Sequence, residues 1–210
     1  MLNERGIPLN DMSFATTDTG KPYVSCVTDP PIAYNVTHDN ALIALAFAPG
    51  RVNGPAFNVG IDVMKVRVPG RQDFPAFVET FSDQLTALER GLLRGVPQEE
   101  ALRRFFWMWT MKEAYTKALG LGLGFDFSRV EFDVVGNTVR VDGQIPQGWW
   151  FGRFVIQDGQ DTYEGVVAEL VGGDGTVLTP ETESPDWLHI FDAATFTEKT
   201  IQELQPHDST

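Results

Sequence analysis

The spacing of apolar residues changes character three times along this chain. Residues 1–31 are rich in Thr, Asp, Gly and Pro and show no period, with turns marked by Gly20-Lys21-Pro22 and Asp29-Pro30-Pro31. Residues 32–48, IAYNVTHDNALIALAFA, are predicted to form two short strands around a turn at Thr37–Asn40. Their apolar run, Ala41 to Ala48, suits a buried strand or a short buried helix. Beyond a loop at 49–55, Asn58–Val66 reads as a strand. Val59, Ile61 and Val63 share one face; Gly60, Asp62 and Met64 share the other.

A helical period follows. Phe77, Phe81, Leu85, Leu88 and Leu92, at spacings of three and four, predict a helix over 74–94. Val96–Leu119 is the strongest helical segment. Pro97 suits a first turn, Glu99 and Glu100 suit the positive end of the dipole, and Gly120 is a natural stop. From Val130 the period falls to two, over Val130–Val134, Thr138–Val141, Trp149–Ile156 and Glu164–Val171. Asp142-Gly143, Asp158-Gly159 and Gly172–Gly175 separate these runs, which predicts an antiparallel meander. The tail, 179–210, is polar, with a short helix expected at Ala193–Leu204 and no order expected in the last few residues. Helices and antiparallel strands in separate runs give an α+β fold class, in two layers.

Composition adds exclusions. Apolar residues make up 42% of the chain and charged residues 21%, an ordinary globular balance. No apolar run is long enough to cross a bilayer, and the N-terminus lacks a basic segment leading into an apolar one. Cys26 is the only cysteine, so an internal disulfide and a cysteine metal cluster are both excluded. These features fit a reducing, cytoplasmic setting without a membrane partner. A formal net charge of −13 argues against a nucleic-acid partner. It also requires any site for an anionic substrate to gather cations locally. Three clusters offer them: Lys65, Arg67 and Arg71; Arg103 and Arg104; Lys112 and Lys117. The glycosylation sequon Asn35-Val36-Thr37 is read as accidental.

Two carboxylates stand out as candidate chemistry. Asp62 sits on a strand whose other face is apolar, and Glu113 sits in a helix crowded with Phe105, Phe106, Trp107, Met108, Trp109 and Met111. An acid in such surroundings is either solvated on an outer stripe or held by a metal or cation. Lys117, four residues beyond Glu113, shares its face, as it would in an exposed ion pair worth a few tenths of a kcal/mol.

The strings Val59-Gly60-Ile61-Asp62-Val63 and Trp109-Thr110-Met111-Lys112-Glu113-Ala114-Tyr115-Thr116-Lys117 resemble the two-part signature of the 4′-phosphopantetheinyl transferase superfamily. Three further strings are similar to its larger, pseudo-dimeric branch: Gly20-Lys21-Pro22-Tyr23, Tyr34-Asn35-Val36-Thr37-His38 and Ala118-Leu119-Gly120-Leu121-Gly122-Leu123. The similarity spans roughly residues 18–171, and the strings look most like the eukaryotic members serving lysine biosynthesis, fatty-acid synthase and secondary-metabolite synthases. The resemblance implies Mg²⁺-dependent transfer of the phosphopantetheine arm of coenzyme A to a serine of an apo acyl or peptidyl carrier protein. It implies Asp62 and Glu113 as metal ligands and Lys117 as a phosphate contact. Glu113 also becomes a candidate to orient or deprotonate the carrier serine. Lys21, Thr37 and His38 become contacts of the coenzyme A 3′-phosphate, and Lys112 becomes either a further phosphate contact or a solvated helix lysine.

The chain departs from the family pattern in three places. A second acid often lies two residues after the strand aspartate; here that position is Met64, a poor Mg²⁺ ligand. A helix start of the form F-[ST]-x-x-E, read onto Phe81-Ser82-Asp83-Gln84, ends on Leu85, leaving Asp83 and Glu89 as neighbouring acids. Only 19 residues precede the Gly20-Lys21-Pro22 string, which implies that most of a first half is absent. The resulting organisation is 1–57 as the end of a pseudo-symmetric first half, 58–178 as a complete half with the metal site, and 179–210 as a polar tail. The competing expectation is an inactive fragment that only binds coenzyme A or a carrier protein.

Overall fold

The computed structural model describes residue 2 and residues 5–183 and 185–204; the last residues of the chain, His207 among them, lie outside the described residues. A small antiparallel hairpin, β1 (Phe14–Thr16) with β2 (Pro22–Val24), precedes a long one, β3 (Ile32–Asp39) with β4 (Leu42–Pro49). The long hairpin turns at Asn40 and Ala41, where Asn40 takes the left-handed backbone with φ 48° that asparagine tolerates. Thr37 and His38 therefore belong to β3 and not to the turn. Asn35 and Thr37 face inward, whereas Val36 and His38 face out.

β5 (Val59–Lys65) opens the second region and pairs antiparallel with β9 (Asp161–Leu170). β9 pairs with β8 (Trp149–Asp158), and β8 pairs in parallel with β10 (Val177–Leu178), giving the order β10-β8-β9-β5. The expected meander is thus divided. β6 (Val130–Asp133) and β7 (Thr138–Val141) form a hairpin of their own, and β8–β9 join a strand from much earlier in the chain. Alternation identified the strands, but burial of Val130, Phe132 and Val139 decided where β6–β7 sits.

The helix expected over 74–94 is broken. α1 (Phe74–Thr80) is followed by a 3₁₀ turn at Ser82–Gln84 and then by α2 (Ala87–Leu92). Thr86 restarts the helix. Its hydroxyl accepts from Glu89 N, and the Glu89 carboxylate accepts from Thr86 N. Arg90 reaches back to the Ser82 and Leu85 carbonyls at 2.8 and 2.9 Å, satisfying acceptors that a continuous helix would have used.

α3 (Gln98–Leu119) is the spine of the molecule, and Gly120, with φ 69°, ends it in the left-handed conformation. It is apolar on two flanks because it has two neighbours. Trp107, Met111, Ala114, Tyr115 and Ala118 pack on β6–β9. Phe105 and Phe106 pack with Phe74, Phe77 and Leu85. Each fully buried Phe, Leu or Met among them contributes about 1.5–3 kcal/mol. Residues 179–183 and 185–188 lie against β8: Thr179 N donates to Phe151 O, Val155 N donates to Thr182 O, and Trp187 meets Trp150 edge-on. α4 (Ala193–Leu204) follows as an exposed helix. No described helix is long and apolar enough to cross a membrane.

Candidate active site

Gly60 is the reason β5 and α3 can touch. A Cβ there would lie 2.1 Å from Ala114 O and 2.3 Å from Ala118 N, both backbone atoms that cannot yield. This approach carries Asp62, two residues along β5, to the flank of α3 that holds Glu113 and Lys117. Lys117 Nζ donates to Asp62 Oδ1 at 2.6 Å and to Thr37 Oγ1 at 3.0 Å, and the Thr37 hydroxyl donates to the same carboxylate oxygen at 3.2 Å. Lys117 therefore pairs across elements with Asp62 and not along its own helix with Glu113. Asp62 Oδ2 is buried and has no partner among the described residues.

Both carboxyls titrate above the ordinary carboxylate range. Burial pushes the Asp62 carboxyl up, against the pull of Lys117 and Thr37. Burial also pushes Glu113 up, and the Asp62 charge adds to it while Lys117 opposes. Glu113 and Lys117 line a cleft of ≈ 690 Å³ whose wall also includes Lys21, Thr116, Trp109 and Phe127. Asn35 lies in the same wall, and its Oδ1 accepts from Ile61 N at 2.9 Å, fixing β3 against β5.

Three expected site residues are placed differently. Lys112 does not line the cleft. It is fully buried, with its ammonium 2.9 Å from Glu89 Oε2 and donating to the Phe127 and Val130 carbonyls. Lys21 is 6% exposed and donates to Phe57 O and, at 2.7 Å, to Ala118 O, so its ammonium covers the carbonyl end of α3. Burial brings its pKa down to about 8. His38 is exposed on the outer face of the hairpin opposite Ile43, turned away from the side of β3 that carries Thr37. Of the other cations, Lys65 pairs with Asp161, and Arg103 bridges Glu164 and Glu181.

The glutamate sought at Leu85 is present one register later. Leu85 is buried among the aromatic rings, and Thr86-Ala87-Leu88-Glu89 forms the capping box. Glu89 is buried against Lys112, while Asp83 lies in the cleft wall. Thr116 and Asn35 lie in the signature strings, but nothing in the sequence marked them for the cleft wall. Among the described residues no group of three or more His, Cys, Asp or Glu side chains could hold a metal. Asp62 and Glu113 supply two hard oxygen donors, and Asp62 Oδ2, unpartnered among the described residues, fits a divalent cation that would take its remaining ligands from substrate and solvent.

Comparison with known proteins places the chain in one family. The family profile of the 4′-phosphopantetheinyl transferase superfamily matches residues 58–162. The 4′-phosphopantetheinyl transferase pptA of Paxillus involutus is 48% identical over 97% of this chain and 79% of its own length. The L-aminoadipate-semialdehyde dehydrogenase-phosphopantetheinyl transferases of Pongo abelii and Homo sapiens are each 31% identical over 72% of this chain. The chain spans about half the length of those two vertebrate relatives, 52% in each case. The chain belongs to the 4′-phosphopantetheinyl transferase superfamily, a family of transferase enzymes.

Proposed function

We propose that this chain transfers the 4′-phosphopantetheine arm of coenzyme A to a serine hydroxyl of an apo carrier-protein domain, in the cytoplasm, releasing adenosine 3′,5′-bisphosphate. The serine oxygen forms a new bond to the pantetheine-bearing phosphorus as the bond to the bridging phosphate oxygen breaks. The observation that carries this reading is the pairing of Asp62, whose buried Oδ2 lacks a partner, with the nearby Glu113 on the wall of a cleft. Asp62 and Glu113 would hold Mg²⁺, which supplies positive charge to the departing nucleoside phosphate. Lys117 and Thr37 orient the phosphates, with Lys117 as a point charge. Glu113 orients the carrier serine or takes its proton. Lys112 has no part in phosphate contact in this reading. His38, exposed on β3, is left to meet the 3′-phosphate from the outer side of the hairpin.

The test is transfer of labelled phosphopantetheine from coenzyme A to an apo carrier protein with and without Mg²⁺. Glu113→Gln should abolish transfer and leave the folded state intact by circular dichroism. Transfer that persists in this variant, or that ignores Mg²⁺, sinks the reading. A second reading, a protein that binds coenzyme A or a carrier without turnover, is favoured by Met64. Its side chain packs into the aromatic cluster beside α3 and offers no oxygen to the site. Binding of coenzyme A without transfer would select it.

A further inference from the structure

A threonine within a helix ordinarily donates its hydroxyl to a carbonyl one turn back. Thr110 does so, to Phe106 O at 2.6 Å. Thr80, Thr197 and Thr200 do the same with Ala76, Ala193 and Phe196, and Thr195 donates to Asp192. Thr116 breaks this habit. It is 4% exposed, its hydroxyl is buried, and that hydroxyl has no hydrogen-bond partner among the described residues. A buried donor left unmade is costly, and in a native fold such a group calls for an explanation.

Its position supplies one. Trp109, Glu113, Thr116, Lys117 and Gly120 all line the cleft, following one face of α3. Thr116 stands next to Lys117 on the last turn, at the end closed by Gly20, Lys21 and Gly120. The carbonyl end of a helix carries partial negative charge and disfavours an anion. Lys21 already covers part of that end through Ala118 O. An uncharged, hydrogen-bonding part of a ligand suits this corner better than a phosphate. Rotation about χ1 moves the threonine hydroxyl between staggered positions without moving the backbone.

We infer that Thr116 is a ligand-contacting residue of the cleft, its hydroxyl donating to an acceptor on the nucleoside part of coenzyme A. This rests on the transferase reading above. The experiment compares Thr116→Val, which keeps the shape and removes the hydroxyl, with Thr116→Ser and the parent. Thermal unfolding is followed alone, with coenzyme A and with adenosine 3′,5′-bisphosphate. Without ligand, Thr116→Val should raise Tm by roughly 2–4 °C, because an unsatisfied buried hydroxyl is gone. With either nucleotide it should bind about 5- to 10-fold more weakly than the parent, and Thr116→Ser should bind like the parent. The opposite signs separate a ligand contact from a structural hydroxyl, whose removal lowers both. A Tm that falls without ligand overturns the inference, as does unchanged affinity for both nucleotides. A parent protein that shows no stabilisation by coenzyme A instead overturns the transferase reading and this inference with it.

Discussion

Lys112 Nζ lies 2.9 Å from Glu89 Oε2, and both side chains are fully buried. The pair joins α3 to α2. Because Glu89 also accepts from Phe132 N at 2.9 Å, the pair holds β6 as well. Burial alone pulls the Lys112 pKa down, and the Glu89 charge opposes it. Lys112 and Glu113 are neighbours on one helix, yet one anchors the frame and the other faces the cleft.

Removing one partner of such a pair leaves a buried charge uncompensated. Lys112→Met is expected to cost about 3–5 kcal/mol of stability. It also strips the Phe127 and Val130 carbonyls of their donor. Urea unfolding at constant pH measures this. A loss under about 1 kcal/mol, the scale of a surface pair, would show that the pair does not lock these elements.

Gly60→Ala places a methyl group against the Ala114 carbonyl, so β5 must withdraw from α3. Overpacking of this kind costs about 1–3 kcal/mol and here also shifts Asp62 away from Lys117. A variant with both parental stability and parental activity would refute the close-approach argument.

Glu164 gives a pH dependence whose sign can be stated. Its carboxyl is buried, Oε1 is 3.0 Å from Arg103 Nε, and Oε2 has no partner. Burial raises its pKa from 4.5 to about 8, with Arg103 pulling the other way. Between these values the folded chain holds a proton that the unfolded chain has lost. The contribution of this group to stability therefore falls as pH rises from 4.5 to about 8. Glu164→Gln removes the titration, so its Tm relative to the parent should climb across that window. A difference between the two proteins that does not change with pH contradicts this.

The outer face of the β3–β4 hairpin exposes Ile43 at 80%, Phe47 at 57%, Leu45 at 48% and Val36 at 45%. A contiguous apolar patch of this kind drives association. Replacing Ile43 and Leu45 by Thr, which keeps strand propensity, is expected to lower the self-association of this chain in sedimentation velocity. If the unsubstituted chain sediments as a monomer at tens of micromolar, the patch is not sticky enough to matter.

His38 shares that face. His38→Ala should weaken coenzyme A several-fold and leave its 3′-dephospho form unchanged. Equal weakening of both in a binding assay contradicts the phosphate contact.

The grouping of the central residues was legible in the chain because it depends on local geometry. Alternation put Asp62 and Gly60 on one face of β5, and a spacing of four put Glu113 and Lys117 on one face of α3. The helix restart at Thr86 was hidden inside the continuous apolar spacing of 74–94. What the sequence could not decide was which neighbour each face would meet. Lys117 chose Asp62, 55 residues away, over Glu113, four residues away. Lys112 turned into the core to reach Glu89. Thr37 and His38, adjacent in one string, ended on opposite sides of a strand, because a period of two separates consecutive side chains once the backbone is extended. Local periodicity sets which residues share a face. The pairing of those faces is settled by burial and charge between elements far apart in the chain, and only the tertiary structure holds that information.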